Sequence, residues 1–353
     1  MKKIGFVSLG TGGTMGHMTL ITNLSKSLSE KGYDCTIFTE YDYEKFSNVK
    51  SNEIKYVKLK NQEHTNTIGG CLIYRYAQEV IELIKKNNIK ILIFSTIFDI
   101  KIIEFAKSQG IKTMLISYPL RDSHREIFTL NGYSKLFDKI YSLKDLESMN
   151  SNNLFENEVI VLPSYKIENK YFRKKRTSKE IKILVTCGGG GRPSSTKFFE
   201  IITKSIEEVT KSLPNITFTI LKGSSNTQLN LKNCKVIDWS TDFKTDLDEH
   251  DFVISEAGYF TVFELMLYRK TGILIPGARR IDNQELRAII YEKLNCGKYV
   301  LPEENVSSLI KKITELSRDT NLREMLADNG MKIINDHYLA YHTLTESIIG
   351  DIT

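Results

Sequence analysis

The stretch GTGGTMGH, residues 10–17, follows the first apolar run of the chain and closes on a histidine. Its four glycines mark a backbone that passes close to something. His17 opens a helix, and the positive helix end disfavours its protonated form. An imidazole kept neutral near neutral pH can act as a general base. A histidine at such a place can also be only a cap or a surface residue. The loop departs from a dinucleotide fingerprint: Gly10 and Gly12 fit it, but the third glycine position is Met15, although Glu40 stands where a ribose-binding acid is expected. A nicotinamide dehydrogenase therefore has partial support and one clear defect.

A second glycine loop, GGGGRPSS, spans residues 188–195 between the apolar strand ILVTC and a helix. Consecutive glycines let several backbone N–H groups converge on one point, and the helix start adds positive partial charge, which makes a phosphate cradle. Arg192 and the hydroxyls of Ser194 and Ser195 are further donors. No Gly-Lys-Ser/Thr closes the loop, so it is not the nucleotide-triphosphate P-loop. A flexible turn is the plainer account of the same run.

Residues 251–288 carry the third constellation. A buried strand ends at Gly258, and Tyr259, Phe260 and Thr261 open a helix with Glu264 one turn on. A strand ending at Pro276 follows, and then Asp282, Asn283 and Gln284. A first-turn carboxylate can take both hydroxyls of a ribose while helix N–H groups face a diphosphate, and the groups at 282–284 can read sugar hydroxyls. Taken singly, Glu264 can merely complement its helix dipole, and 282–284 can be an N-cap with polar followers.

The elements that position these residues alternate. KKIGFVSL precedes a helix from about residue 18 to 31, followed by DCTIFT, IKYVKL and a helix through 72–87. KILIFS, a helix near 98–109, KTMLISY, KIYSL and VIVLP come next. The stretch 164–180 is charged, lacks a sustained apolar period and reads as a linker, with RKKR at 173–176. Alternation then restarts with IKILVT, a helix near 195–212, ITFTILKG, KVIDW, FVISEAG, a helix near 260–269, TGILIPG, a helix near 283–295 and KYVLP. Helices near 306–317 and 319–349 end the chain. Apolar strands separated by helices imply parallel sheets covered on both faces. The expected class is α/β: two Rossmann-like doubly wound domains facing across a cleft, over 1–163 and 181–335. A terminal helix, 336–353, is a candidate to pack back on the first domain. Ligands of such sheets bind beyond the carboxyl ends of the strands, so the cleft is the expected site.

The 353 residues suit two domains, and 41% hydrophobic with 26% charged residues suits a globular protein with a sizeable core. A net charge of +6 over this length fits anionic small molecules and is too weak to argue for nucleic acid. The five cysteines are odd in number and without a CxxC pair, as reduced thiols are. No signal peptide or membrane-spanning run is evident, so the expected location is cytoplasmic. RKKR is a candidate for peripheral contact at the inner face of a membrane. The one Asp-x-Asp, Asp246 and Asp248, lies in a charged stretch and reads as surface, so neither a metal nor another cofactor is expected.

The ordered set in the second half resembles the carboxy-terminal domain of the MurG-like glycosyltransferases, with good specificity over 181–300 and more loosely over the first forty residues. The middle of the first half, about 41–160, carries no resemblance. That family implies the two-domain arrangement called GT-B and a UDP-linked sugar donor. The resemblance makes His17 the base that activates an acceptor hydroxyl, within an acceptor-side loop that includes Gly13, Thr14 and Gly16. It places Gly188, Gly189, Gly190, Gly191, Ser194 and Ser195 on the donor phosphates, together with Gly258, Tyr259, Phe260 and Thr261. Glu264 takes the place of the ribose-binding acid, Trp239 lies near the base, and Asn283 and Gln284 hold the donor sugar. Thr271 replaces a family proline and Arg287 a family asparagine, and neither change removes a key chemical group. Arg121, His124 and Arg125 lie on a loop at 118–128 that can contact acceptor or pyrophosphate, or be simply solvated.

The expectation is an inverting, metal-independent transfer of a sugar from a UDP-sugar to an acceptor that is a glycan, a lipid-linked or a small molecule. A nucleotide-sugar hydrolase or epimerase on the same fold, and a non-catalytic nucleotide-sugar-binding partner, are the rival readings beside the dehydrogenase.

Overall fold

The computed structural model describes residues 2–9, 16–40, 54–60, 76–119, 126, 128, 130, 132–146, 155–164, 180–191, 193–240, 242–279, 282–301 and 306–353. Among the described residues thirteen strands form two parallel sheets. The first contains β1 (Lys3–Ser8), β2 (Asp34–Thr39), β3 (Lys55–Lys58), β4 (Ile91–Ser95), β5 (Lys112–Ser117), β6 (Lys139–Leu143) and β7 (Glu158–Val161), in the order β3-β2-β1-β4-β5-β6-β7. The second contains β8 (Ile181–Thr186), β9 (Ile216–Leu221), β10 (Cys234–Ile237), β11 (Phe252–Ser255), β12 (Gly272–Leu274) and β13 (Lys298–Tyr299), in the order β10-β9-β8-β11-β12-β13. This is the doubly wound α/β class expected of the sequence.

Helices cover both sheets: α1 (Gly16–Ser29), α2 (Ala77–Asn87), α3 (Ile100–Ser108), α4 (Pro193–Ser212), α5 (Phe243–Glu249), α6 (Tyr259–Leu267), α7 (Gln284–Lys293), α8 (Val306–Arg318), α9 (Thr320–Ala340) and α10 (Leu344–Ile352). The central strands are apolar on both faces because each face meets a helix. In β4 every residue of ILIFS is buried. Helix α1 turns Leu20, Ile21, Leu24 and Leu28 inward, the spacing of one helical face, onto Ile4 and Phe6 of β1. Each fully buried side chain of this kind contributes about 1.5–3 kcal/mol of transfer free energy.

In both sheets the strand order reverses beside the first strand of the unit. β1 lies between β2 and β4, and β8 lies between β9 and β11. The connections leave opposite faces there, which opens a crevice at the carboxyl ends. Gly16 and His17 open the helix that follows β1, and the run 188–191 leads out of β8, so both border a switch point.

The stretch expected as one helix over 319–349 is two. Helix α9 ends at Ala340, and α10 begins at Leu344, capped by Thr343, whose hydroxyl accepts from the Glu346 N–H in a reciprocal capping box. Residues 336–340 therefore belong to α9, and the terminal helix is shorter than 336–353. Between the two helices the chain crosses from the second sheet to the first. Leu162 N donates to His342 O at 3.1 Å, and Leu344 N donates to Leu162 O at 2.8 Å. Helix α10 buries Leu344, Ile348 and Ile352 in the core that also holds Ile4, Ile91 and Tyr141. Tyr141 Oη donates to Asp351 at 2.7 Å, and Lys112 Nζ donates to Asp351 O at 2.6 Å.

Candidate active site

Helix α1 starts at the carboxyl end of β1 and carries His17 in its first turn. The imidazole Nδ1 lies 3.0 Å from Oγ of Ser95, the last residue of β4. β4 pairs with β1 across the switch point, so the strand register itself brings this hydroxyl to the ring. Tyr118, just beyond β5, stacks tilted on His17 with centroids 4.5 Å apart, and its hydroxyl donates to Gly16 O at 3.1 Å. These contacts fix the ring from two sides.

Tyr118 also reaches the second domain. Its ring lies edge-on to Phe260 at 5.5 Å and to Tyr259 at 6.1 Å, both in the first turn of α6. A Cβ on Gly16 would stand 3.5 Å from the Phe260 ring. The residues read from the two ends of the sequence, Gly16 and His17 on one side and Tyr259 and Phe260 on the other, thus meet at the seam. Gly258 is the N-cap of α6 and makes no side-chain capping bond. Gly258 thus brings no side chain to the first turn of Tyr259, Phe260 and Thr261, and a helix start is a place that suits an anion. Thr261 and Glu264 are both half-buried. Tyr259 itself is spent on the seam, where its hydroxyl donates to Lys144 O at 2.7 Å.

The loop after β8 is held open by backbone conformation. Gly188 has φ +65° and Gly190 φ +69°, both left-handed. At Gly190 a side chain would also overlap the carbonyl oxygen of Lys222. Ser224 N donates to Gly189 O at 2.9 Å, and Gly223 N to Asp238 O at 2.8 Å. This chain of bonds brings half-buried Trp239, which follows Asp238, to the side of the glycine loop. Gly191 completes the loop before α4.

The two serines of α4 part company. Ser194 donates to Glu256 Oε1 at 3.2 Å and accepts from Arg279. Ser195 is 1% exposed at the start of α4, beside the buried Cys187, whose thiol donates to Lys222 O at 3.8 Å. Burial, and next the charge of Glu256, push that thiol up to about 12, and it stays protonated.

At the start of α7, Asn283 is the N-cap and accepts from Leu286 N at 3.4 Å. Gln284 is 4% exposed, and its Oε1 accepts from Gly277 N at 2.9 Å. Its amide nitrogen has no protein partner among the described residues. The carboxamide oxygens of both thus hold local backbone. Arg287, read as a neutral replacement for an asparagine, is fully buried and joins Asp145, Asp282 and Ala257 O. A small apolar cavity at the same seam is lined by Lys144, Asp145, Tyr259, Phe263, Arg287 and His337.

Gly13, Thr14, Arg121, His124, Arg125, Arg192 and the RKKR cluster lie outside the described residues. Asp246 and Asp248 stand half-buried on α5, where Asp246 accepts from Ser240. Among the described residues no three His, Cys, Asp or Glu side chains gather as a metal site. No helix of the described residues is long and apolar enough to cross a membrane.

Ser95, Tyr118, Asp145, Glu256 and Arg279 were not among the residues expected from sequence. Ser95 and Glu256 do carry a signal, a polar residue at the carboxyl end of an apolar strand. Tyr118, Asp145 and Arg279 acquire their partners only in the fold.

Residues 174–338 match the glycosyltransferase family 28 C-terminal domain. The chain is 22% identical to the UDP-N-acetylglucosamine--N-acetylmuramyl-(pentapeptide) pyrophosphoryl-undecaprenol N-acetylglucosamine transferase of Wolbachia sp. subsp. Drosophila simulans (strain wRi), over 91% of this chain and 89% of that protein. Acinetobacter baumannii MurG superposes with a TM-score of 0.64 at 14% identity, covering 100% of this chain and 99% of that one. The spinosyn rhamnosyltransferase SpnG complexed with thymidine diphosphate gives 0.65 at 11% identity and covers 100% of both.

Proposed function

Taking the chain as a MurG-like glycosyltransferase of the GT-B fold, we propose that it transfers a sugar from a UDP-sugar to an acceptor hydroxyl with inversion and without a metal ion. His17 is the base. In the tautomer with its proton on Nδ1, that nitrogen donates to Ser95 Oγ, and Nε2 carries the lone pair that takes the acceptor proton. The acceptor oxygen attacks the anomeric carbon from the face opposite the diphosphate. The bond to the leaving oxygen breaks, and negative charge develops on UDP.

Amides of the loop 188–191 and of Tyr259, Phe260 and Thr261 stabilise that charge. Preorganised donors of this kind are worth about 3 kcal/mol each in the barrier. Glu264 takes the ribose hydroxyls, and Trp239 lies by the base. Asn283 and Gln284 border the sugar, with the Gln284 amide nitrogen as its donor. The acceptor-side loop around Gly13, Thr14 and Gly16, with Arg121 and His124, faces the second substrate. The relatives are named for a pyrophosphoryl-undecaprenol acceptor. By that likeness a lipid-linked acceptor, met by a cytoplasmic protein at the membrane face, stands beside glycans and small molecules as the substrate class.

The observation that carries this reading is the ring contact from His17 through Tyr118 to Phe260. It puts an imidazole of the first domain beside the helix start that receives the donor in the second. A thermal-shift panel tests it: UDP and UDP-sugars should raise the melting temperature more than other nucleotides or nicotinamide cofactors. Saturation at a hundred times Kd is worth about 2.7 kcal/mol. Stabilisation by a nicotinamide cofactor instead, or by no nucleotide, would end the reading.

A further inference from the structure

Glu256 follows β11 directly, at the switch point of the second sheet, and is 3% exposed. It accepts from Ser194 Oγ through Oε1 and from Arg279 Nη2 through Oε2. Arg279 closes the triangle by donating from Nη1 to Ser194 and to Ala278 O. Its segment is tied to the start of α7 by the bond from Gly277 N to Gln284. The pair packs against Gly277, where a Cβ would stand 2.5 Å from Glu256 Oε1 and would have to displace it. The triangle therefore ties together the segments following β8, β11 and β12 at the crevice mouth.

A carboxylate buried beside a phosphate cradle repels a diphosphate unless a cation offsets it. Arg279 is that cation, and its side chain is 11% exposed. A guanidinium has five N–H groups. Among the described residues the bonds above use the two on Nη1 and one on Nη2. Nε–H and the second Nη2–H lie together on one edge, the fork that suits two oxygens of one anion.

We propose that Arg279 binds the donor diphosphate through this edge, with Glu256 and Ser194 as positioning residues that aim it. The inference rests on the glycosyltransferase reading above and adds to its main-chain cradle a charged side chain selective for the diphosphate.

Calorimetric titration of the full chain with UDP and with uridine tests it. R279M is expected to weaken UDP by about tenfold or more, the size of a lost charged hydrogen bond, and to leave uridine unchanged. E256Q keeps the arginine but loosens its aim, and should weaken UDP by less. Should R279M fail to fold, R279K decides, since lysine keeps the charge and loses the fork. It is expected to weaken UDP by an intermediate factor without touching uridine, and wild-type UDP affinity in a folded R279K would overturn the proposal. Wild-type protein that prefers UDP to uridine, with R279M retaining the full preference, would overturn it while sparing the proposed function. Wild-type protein with no such preference would overturn both.

Discussion

Arg287 grips Asp145 across the seam between the two domains. Its Nε lies 3.0 and 3.1 Å from the two carboxylate oxygens, and Nη2 lies 2.7 Å from the second. Asp282 accepts from the same Nη2 at 2.7 Å, and the Tyr259 ring faces the guanidinium at 5.6 Å. Burial alone would push the arginine pKa down; the charges of Asp145 and Asp282 outweigh it and hold the pKa up. This buried ion pair across the seam thus begins in the helix that carries Gln284.

Removing one partner strands the other charge in the interior. R287M or D145L should each cost about 3–5 kcal/mol, read by chemical denaturation as a lowered midpoint. The double variant R287M/D145L should cost less than R287M and D145L added together, because it leaves no unpaired charge at the buried end of the cluster, while Asp282 keeps part of its carboxylate in solvent. Additive costs would show that the pair is not the seam's clasp.

Gly188 and Gly190 share a left-handed backbone but differ in surroundings. A Cβ on Gly188 meets nothing within 4 Å, whereas one on Gly190 overlaps the Lys222 carbonyl. G188A should cost about 1–2 kcal/mol of backbone strain and keep UDP binding. G190A must displace the segment 222–225 and should lose more stability and most UDP binding. Melting curves and titrations on the two proteins would separate them, and equal behaviour would contradict the account.

Ser95 and Tyr118 hold the His17 ring without belonging to the donor pocket. S95A and Y118F should lower kcat and leave the KM for the donor nearly unchanged, by less than the roughly hundredfold or greater loss expected of a missing general base. A raised donor KM with unchanged kcat would reassign both residues to donor binding.

His250 sets an acid limit on stability. Burial, assisted by Lys270, holds its pKa below the ordinary 6.5, with Asp246 and Glu249 opposing. The fold accepts the neutral ring, while the unfolded chain takes a proton near 6.5. Between the folded and unfolded pKa values the unfolded state binds more protons, so stability falls as pH drops below about 6.5. His337, lowered by burial and by Lys144, acts in the same direction. The melting temperature should fall on acidification from about pH 7 to about pH 5.5, and H250Q should flatten that slope. An unaltered slope in H250Q would refute the assignment.

The two sheets were legible because strands buried on both faces leave continuous apolar runs, as in ILIFS and FVIS. The glycine loop 188–191 fell at a switch point because it follows such a run directly. The break between α9 and α10 had a local signal as well: Thr343-Leu344-Thr345-Glu346 is a capping-box spacing that periodicity passes over. Arg287 was not legible. Its partner Asp145 lies 142 residues earlier, and an arginine in a helix reads as solvated until the partner is in place. The same holds for Glu256 with Arg279, an ion pair made by two loops. Adjacent hydroxyls at a helix start look alike in sequence, while the fold buries Ser195 and leaves Ser194 half-buried against Glu256.

The most direct measurement is a crystal soaked with UDP or a UDP-sugar. The account predicts the diphosphate in the crevice between residues 188–191 and 258–261. The anomeric carbon should lie on the order of 6 Å from His17 Nε2, an attack distance plus a hydrogen bond. A crevice left empty at saturating ligand, or a sugar directed away from the imidazole, would contradict it.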